Sequence, residues 1–282
     1  MKNEEQAVER NRQAILNSHS YRLAELDIDF LGRGEQRPVR MQLELQKVET
    51  LLRENNIHST VVVFGGTQVV PKDQAESRLA VAKRHLAKNP EQERANRAVE
   101  RAESVLAKAH FYDDAREFAR LVSKTCQKDG ACDFVVATGG GPGIMEAANR
   151  GAFEVGAKSI GLNIELPHEQ EPNPYITPEL CFQFSYFALR KFHFILRAAA
   201  LVVFPGGFGT LDELFNTLTL RQTGRMQEIP IILYGEKYWN NLINFQGLAD
   251  EGVIADEHLD LISFADSPQE AWSIISEFHH LD

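Results

Sequence analysis

Leu189-Arg-Lys-Phe-His-Phe-Ile-Leu-Arg-Ala-Ala-Ala-Leu-Val-Val-Phe-Pro-Gly-Gly-Phe-Gly-Thr-Leu-Asp-Glu213 is the stretch whose reading decides the fold. Its first part, carrying Arg190 and Lys191, reads as a helix, and Ala200 to Phe204 reads as a buried strand. A glycine turn, Pro205 to Gly209, follows, and Thr210 is the expected N-cap of a new helix. Glu213 stands three residues after Thr210, the spacing of a capping box, which places a carboxylate in the first helical turn where the macrodipole favours an anion. Gly206, Gly207 and Gly209 let the backbone approach a ligand closely, and a helix start aims free N–H groups at it. The ligand group that fits such a turn is a phosphate.

A second stretch has the same order of parts. Phe134 to Thr138 is an apolar strand, Gly139-Gly140-Gly141-Pro142-Gly143 is a turn, and Ile144 to Val155 is a helix whose first turn carries Met145 and Glu146. Earlier in the chain, Thr60 to Phe64 is a β-branched strand that ends at Gly65-Gly66. Strand–glycine–helix units in one parallel sheet bring their helix starts to the same carboxyl edge, where open α/β sheets bind ligands. Together they point to a nucleotide pocket.

The chain here resembles a known family. Pro205-Gly206-Gly207-Phe208-Gly209-Thr210-Leu211-Asp212-Glu213 matches the PGGxGTxxE motif of the Lonely Guy (LOG) family, formerly labelled "possible lysine decarboxylases". Arg190-Lys191 matches the Arg-Lys pair that precedes that motif, and Gly139 to Glu146 is similar to the family's first glycine block. Phe64-Gly65-Gly66-Thr67 sits where the family has a Phe-Cys-Gly-Ser type turn, with Gly65 in place of the usual Cys. The resemblance runs from about Val61 to Phe264 and is interrupted by an insertion from about Pro71 to Ala109.

Composition bounds the function classes. The 282 residues, 43% of them hydrophobic, suffice for one large α/β domain with a substantial core. A net charge of −10 argues against nucleic-acid binding, which needs a basic face. No apolar run approaches the roughly 20 residues that span a membrane, and the first residues lack the apolar centre of a secretory signal. Cys126, Cys132 and Cys181 form no CxxC pair, which suits a reducing cytoplasm without disulfides or a thiolate metal site. The histidines show no metal spacing, and His168-Glu169 is not part of H-E-x-x-H. Neither a metal nor another cofactor is expected.

In chain order, residues 1–57 are an N-terminal helical extension, including an amphipathic helix from Val39 to Asn55 with Met41, Leu45, Val48 and Leu52 in helical register. Residues 71–110 are a charged insertion of two helices broken at Asn89-Pro90. Phe111 to Lys128 is a further helix, Ser159 to Ile164 and Leu180 to Phe184 are strands, and a helix carrying Arg190 and Lys191 begins at Ser185. Between those two strands, Leu166 to Pro178 is a proline-rich loop of the kind that forms lids. A strand at Ile229 to Tyr234, a helix at Tyr238 to Leu248, residues 253–265 and a helix around Ala271 to Phe278 close the chain. Alternating strands and helices give a single domain with a Rossmann-like, doubly wound parallel sheet of about seven strands.

The pocket expected is not that of a dinucleotide or a triphosphate. Gly139-x-Gly141 would need glycine at 144 and has Ile144, and no G-x-x-x-x-G-K-[ST] occurs. A mononucleotide remains. Hydrolysis of its N-glycosidic bond passes through an oxocarbenium-like sugar and calls for a carboxylate. The resemblance assigns that work to Glu213 and Arg190. It implies nucleotide contacts from Gly65, Gly66, Thr67, Gly139, Gly140, Gly141, Gly143, Met145, Glu146, Lys191, Gly206, Gly207, Gly209 and Thr210. It also implies a homo-oligomer with the pocket near a subunit boundary. The function expected is a nucleoside 5′-monophosphate phosphoribohydrolase acting on AMP or a cytokinin riboside monophosphate. Two rivals stand beside it: a non-catalytic carrier of a nucleotide or of the molybdenum cofactor, and a PLP-dependent decarboxylase in which Lys191 would form the Schiff base.

Overall fold

A computed structural model describes residues 2–127, 132–167 and 171–281. Lys128, the expected end of a helix, and His168 and Glu169, within the proline-rich loop, lie outside the described residues. The chain divides into two compact units, Met1–Glu49 and Thr50–Asp282.

The first unit holds α1 (Lys2–Leu16), α2 (Ile28–Leu31) and most of α3 (Arg37–Glu54), which runs on into the second. α1 buries none of its residues. Its apolar side chains are too sparse among charges to make a stripe, and Val8 and Ile15 are exposed. Asp27 caps α2 by accepting from the Phe30 amide at 3.1 Å. His19, Asp27 and Asp29 come together there, and the Arg22 guanidinium already supplies the positive charge between the two carboxylates.

The second unit begins with β1 (Thr60–Phe64), followed by α4 (Lys72–Lys88) and α5 (Glu93–Ala107) of the insertion and by α6 (His110–Cys126). Then come β2 (Val135–Thr138), α7 (Ile144–Glu154), β3 (Ser159–Ile164), β4 (Cys181–Phe184), α8 (Phe187–Leu196), β5 (Ala198–Val203) and α9 (Phe208–Gln222). β6 (Ile231–Tyr234), α10 (Glu236–Leu242), α11 (Phe245–Asp250), β7 (Ser263–Ala265) and α12 (Pro268–Phe278) complete it. All seven strands are parallel, in the order β4-β3-β2-β1-β5-β6-β7. The expected doubly wound sheet is present.

A parallel sheet is covered on both faces, so its central strands are apolar throughout. β1 reads Thr-Val-Val-Val-Phe, β5 Ala-Ala-Ala-Leu-Val-Val and β6 Ile-Ile-Leu-Tyr, and every one of these residues is buried. On one face Val61, Val63, Val202 and Phe204 join Phe118 of α6, Ile144 of α7 and Ile275 of α12 in a single cluster. Burying a side chain of this size stabilises by roughly 1.5–3 kcal/mol. From β1 the chain winds outward through β2, β3 and β4, returns to β5, and winds the other way. That reversal opens a crevice beyond Phe64 and Val203, which are register partners at the carboxyl ends of β1 and β5.

Two differences from the sequence reading go beyond small shifts at element ends. The expected helix Tyr238 to Leu248 is two helices, because the Asn244 side chain accepts from the Gly247 amide at 2.9 Å and caps a new start. α9 begins at Phe208 with Gly207 as its N-cap, so Thr210 is the third helical residue rather than the cap. Glu213 therefore stands in the second turn and makes no capping box. A glycine cap with no side-chain acceptor leaves the first amides of α9 to whatever occupies the crevice.

Candidate active site

The crevice holds a pocket of about 320 Å³ bordered by the Phe64–Thr67 turn, Met145, Phe187, Arg190, the Gly207–Thr210 turn, Asp212 and Glu213. Three loops meet there because their strands are neighbours. The Gly66 amide donates to the Pro205 carbonyl at 2.9 Å, which ties the turn after β1 to the turn after β5. Gly65 is required by packing: a Cβ there would lie 2.6 Å from the Ile144 side chain.

The turn after β5 is open on its pocket side. Added Cβ atoms at Gly207 and Gly209 would meet nothing within 4 Å. Leu211 donates the first helical hydrogen bond, to the Gly207 carbonyl. Among the described residues the amides of Phe208, Gly209 and Thr210 donate to no backbone acceptor outside the helix. Thr210 is 6% exposed and packs its side chain on Gly206.

The first glycine block is used differently. Gly140 and Gly143 have positive φ, +74° and +75°, a conformation that suits glycine. A Cβ at Gly140 would strike the Asn163 side chain, one at Gly143 would strike the Gly66 carbonyl, and one at Gly139 would lie 2.5 Å from Arg190 Nη2. Several of its polar groups have protein partners. Asn173 donates from its amide to the Gly140 carbonyl at 2.8 Å and from Nδ2 to the Gly141 carbonyl at 3.1 Å, and Ile144 donates to the Gly66 carbonyl. The carbonyls and Cβ directions of this block are thus taken up by protein, and of its residues Met145 borders the pocket. Glu146 accepts from the Tyr112 hydroxyl at 2.7 Å and is not among the pocket's lining residues.

Arg190 and Glu213 do come together at the pocket. Arg190 is fixed by Nε donating to the Leu162 carbonyl at 2.7 Å and by its guanidinium lying 5.3 Å from the Phe194 ring centroid. Burial lowers its pKa, and the Glu213 charge pulls the other way. Glu213 is 6% exposed, and among the described residues its carboxylate accepts no hydrogen bond. Burial raises its pKa to about 6, against the pull of Lys191 and Arg190. A buried acid that accepts no hydrogen bond from the protein is a group held ready for a ligand or a water. The Lys191 ammonium pairs at 2.7 Å with Asp212, which borders the pocket, and Lys191 itself lines the neighbouring groove between α8 and α9.

Phe187, Phe208 and Asp212 border the pocket and were not singled out from the sequence. Phe208 is 92% exposed, and an apolar residue held between glycines at a helix start was the signal for it.

Residues 145–275 match the family model described as "Possible lysine decarboxylase". That range holds Met145, Arg190 and the whole Pro205–Glu213 motif, and leaves out β1, its turn and the insertion. The probable cytokinin riboside 5′-monophosphate phosphoribohydrolase LOGL3 of Oryza sativa subsp. japonica is 26% identical over 55% of this chain and 79% of its own length. Cytokinin riboside 5′-monophosphate phosphoribohydrolase LOG1 of Arabidopsis thaliana is 31% identical over 47% of this chain and 62% of its own length, so the match spans less than two thirds of that relative. Among solved structures, the molybdenum cofactor binding protein of the phototrophic bacterium Rippkaea orientalis is 20% identical, with a TM-score of 0.42 over 60% of this chain and 87% of that one. The sequence matches bear out the resemblance to the LOG family.

Proposed function

We propose, with that resemblance as premise, that the protein is a nucleoside 5′-monophosphate phosphoribohydrolase. It would cleave the N-glycosidic bond of AMP or a cytokinin riboside 5′-monophosphate to give free base and ribose 5-phosphate. One observation carries the reading: a buried carboxylate without a hydrogen bond, Glu213, shares a pocket with Arg190 and with the free amides at the start of α9.

In this reading the phosphate sits on the amides of Phe208, Gly209 and Thr210, where the helix dipole favours it. The ribose then lies toward Glu213. As the carbon–nitrogen bond breaks, its electron pair leaves with the base, which takes up a proton, and the sugar becomes cationic. The Glu213 carboxylate stabilises that cation and accepts a proton from the attacking water, whose oxygen bonds the anomeric carbon. A pKa near 6 keeps the group ionised at neutral pH yet able to accept a proton. Arg190 orients Glu213 and contacts the phosphate or the ribose.

The rivals fit less well. A carrier gains nothing from a desolvated carboxylate beside its phosphate seat. A Schiff-base lysine needs a neutral amine, and Lys191 is held as an ion pair with Asp212. The deciding experiment is chromatography of the products from AMP and from a panel of guanine, pyrimidine and isopentenyladenine monophosphates. Adenine and ribose 5-phosphate are expected; tight binding of every nucleotide without base release would favour the carrier.

The same reading includes self-association. Phe187, Phe192 and Leu196 of α8 and Phe208 and Phe215 of α9 are all exposed, and a groove of about 560 Å³ runs between the two helices. Phe187 and Phe208 also border the active pocket, so a second copy seated on this face would close it. Light scattering should find a dimer or larger assembly, and Phe192→Asp should shift it toward monomer.

A further inference from the structure

The insertion between β1 and α6 lays a line of cations along one helix face. Arg94, Arg97 and Arg101 of α5 and its C-cap residue Lys108 fall within roughly a quarter of the helix circumference at 100° per residue. Among the described residues the insertion's ion pairs are Lys72–Glu76 and Lys83–Glu103, which use none of the four. Such a line is out of keeping with a chain whose net charge is −10.

The end of that face forms one wall of a cavity of about 400 Å³. Arg101, Ser104, Val105 and Lys108 stand on the insertion side, and the Gly66–Val69 and Pro205–Gly207 turns stand opposite with Tyr238. The Tyr238 hydroxyl donates to the Gly206 carbonyl at 2.8 Å, which fixes its ring at the wall. Lys108 donates to the Ser104 carbonyl at 3.0 Å, so its ammonium is kept at the cavity. Among the described residues no acidic side chain lines this cavity. Its size and its balance of apolar wall and few polar groups are those of a small-molecule site, and its charge selects an anion.

We propose that this cavity is a second binding site, for a phosphorylated small molecule, with Arg101 and Lys108 gripping the phosphate and Val69, Val105 and Tyr238 covering the apolar part. Lys108 is held on the Ser104 carbonyl and Tyr238 on the Gly206 carbonyl, a wall suited to gripping a ligand. Gly66, Thr67 and Gly207 border both this cavity and the active pocket. A ligand here braces the outer side of turns whose inner side receives the nucleotide, a consequence that rests on the proposed function, whereas the site itself does not.

Calorimetric titration of the full chain with pyrophosphate tests the site. Three proteins are compared: the unaltered chain, the double variant Arg101→Gln/Lys108→Gln, and Gly209→Asp. The last places a carboxylate in the active pocket, at a position where a Cβ meets nothing within 4 Å and away from the cavity lining. The unaltered chain should bind pyrophosphate. Loss of two charge-assisted contacts should weaken that binding about tenfold or more in the double variant, with its melting temperature unchanged, while Gly209→Asp keeps one pyrophosphate at unaltered affinity. Binding lost in Gly209→Asp but kept in the double variant, equal binding in all three, or no binding at millimolar pyrophosphate would each overturn the site. Failure of the hydrolase reading would show separately, as AMP left intact, and would not change these titrations.

Discussion

Gly139–Gly143 and Gly206–Gly209 follow β2 and β5, the strands on either side of β1, and each run leads into a helix. The first is closed. Asn163, Arg190 and the Gly66 carbonyl occupy the space that its side chains would need, and Asn173 takes its carbonyls. The second is open: Cβ atoms at Gly207 and Gly209 would meet nothing within 4 Å, and among the described residues the amides of the helix start have no backbone acceptor outside the helix. Glycine marks a close approach to protein in the first and an open turn in the second. The closed block packs against Arg190 and the Gly66 turn; the open block is where the proposed function seats its anion.

The largest effect that would sharpen this contrast comes from Glu213, beside the open block. Glu213→Gln should lower turnover of AMP about a thousandfold, or roughly 4 kcal/mol in the barrier, with AMP affinity changed no more than about twofold. Calorimetry beside a base-release assay checks it, and equal loss of binding and turnover would break the division of labour.

Next is a matched pair of alanines. Gly143→Ala imposes positive φ on a residue with a Cβ and drives that Cβ into the Gly66 carbonyl, so it should cost about 3 kcal/mol in denaturant unfolding. Gly209→Ala meets open space inside a helix, so its stability should stay within about 0.5 kcal/mol of the parent. Equal costs at the two positions would erase the distinction between closed and open blocks.

A pH series reads Glu213 in both stability and rate. Its pKa is raised from 4.5 to about 6, so the fold prefers the protonated acid. Stability from this group is fully present below about 4.5 and is lost as pH rises through about 6. At neutral pH Glu213→Gln should therefore be more stable than the parent by about 2 kcal/mol, and the gain should vanish in acid. Activity runs the opposite way, rising with pH through about 6 as the base form appears. A variant no more stable at pH 7.5 than at pH 4 would contradict the desolvation of this carboxylate.

The smallest effect belongs to the closed block. Tyr112→Phe removes the donor to Glu146 and should cost about 1 kcal/mol in stability while leaving turnover nearly unchanged. A large loss of activity would move Glu146 from support into the chemistry.

Much of the fold was legible in the residues. β1, β5 and β6 are unbroken apolar runs, as strands buried on both faces must be, and turns of glycine separate them from helices. The break at Asn244 was missed because a cap depends on where one side chain finds an amide, not on the apolar period. At the site, the sequence offered Arg190 and Glu213 through a motif, together with two glycine blocks that looked alike. It gave no sign that Lys191 turns to Asp212, that Phe187 reaches the pocket, or that α5 brings Arg101 and Lys108 to the outer side of the glycine turns.

The sequence by itself determined the parallel α/β sheet and the positions of its glycine turns, because hydrophobic period and glycine's backbone freedom are local properties. The tertiary structure decided which turn stays open and that Glu213 is buried with no hydrogen bond to its carboxylate among the described residues. It also decided which cations remain unpaired. Each of these depends on what distant segments bring within a few ångströms, and desolvation, steric contact and charge pairing act only across such distances.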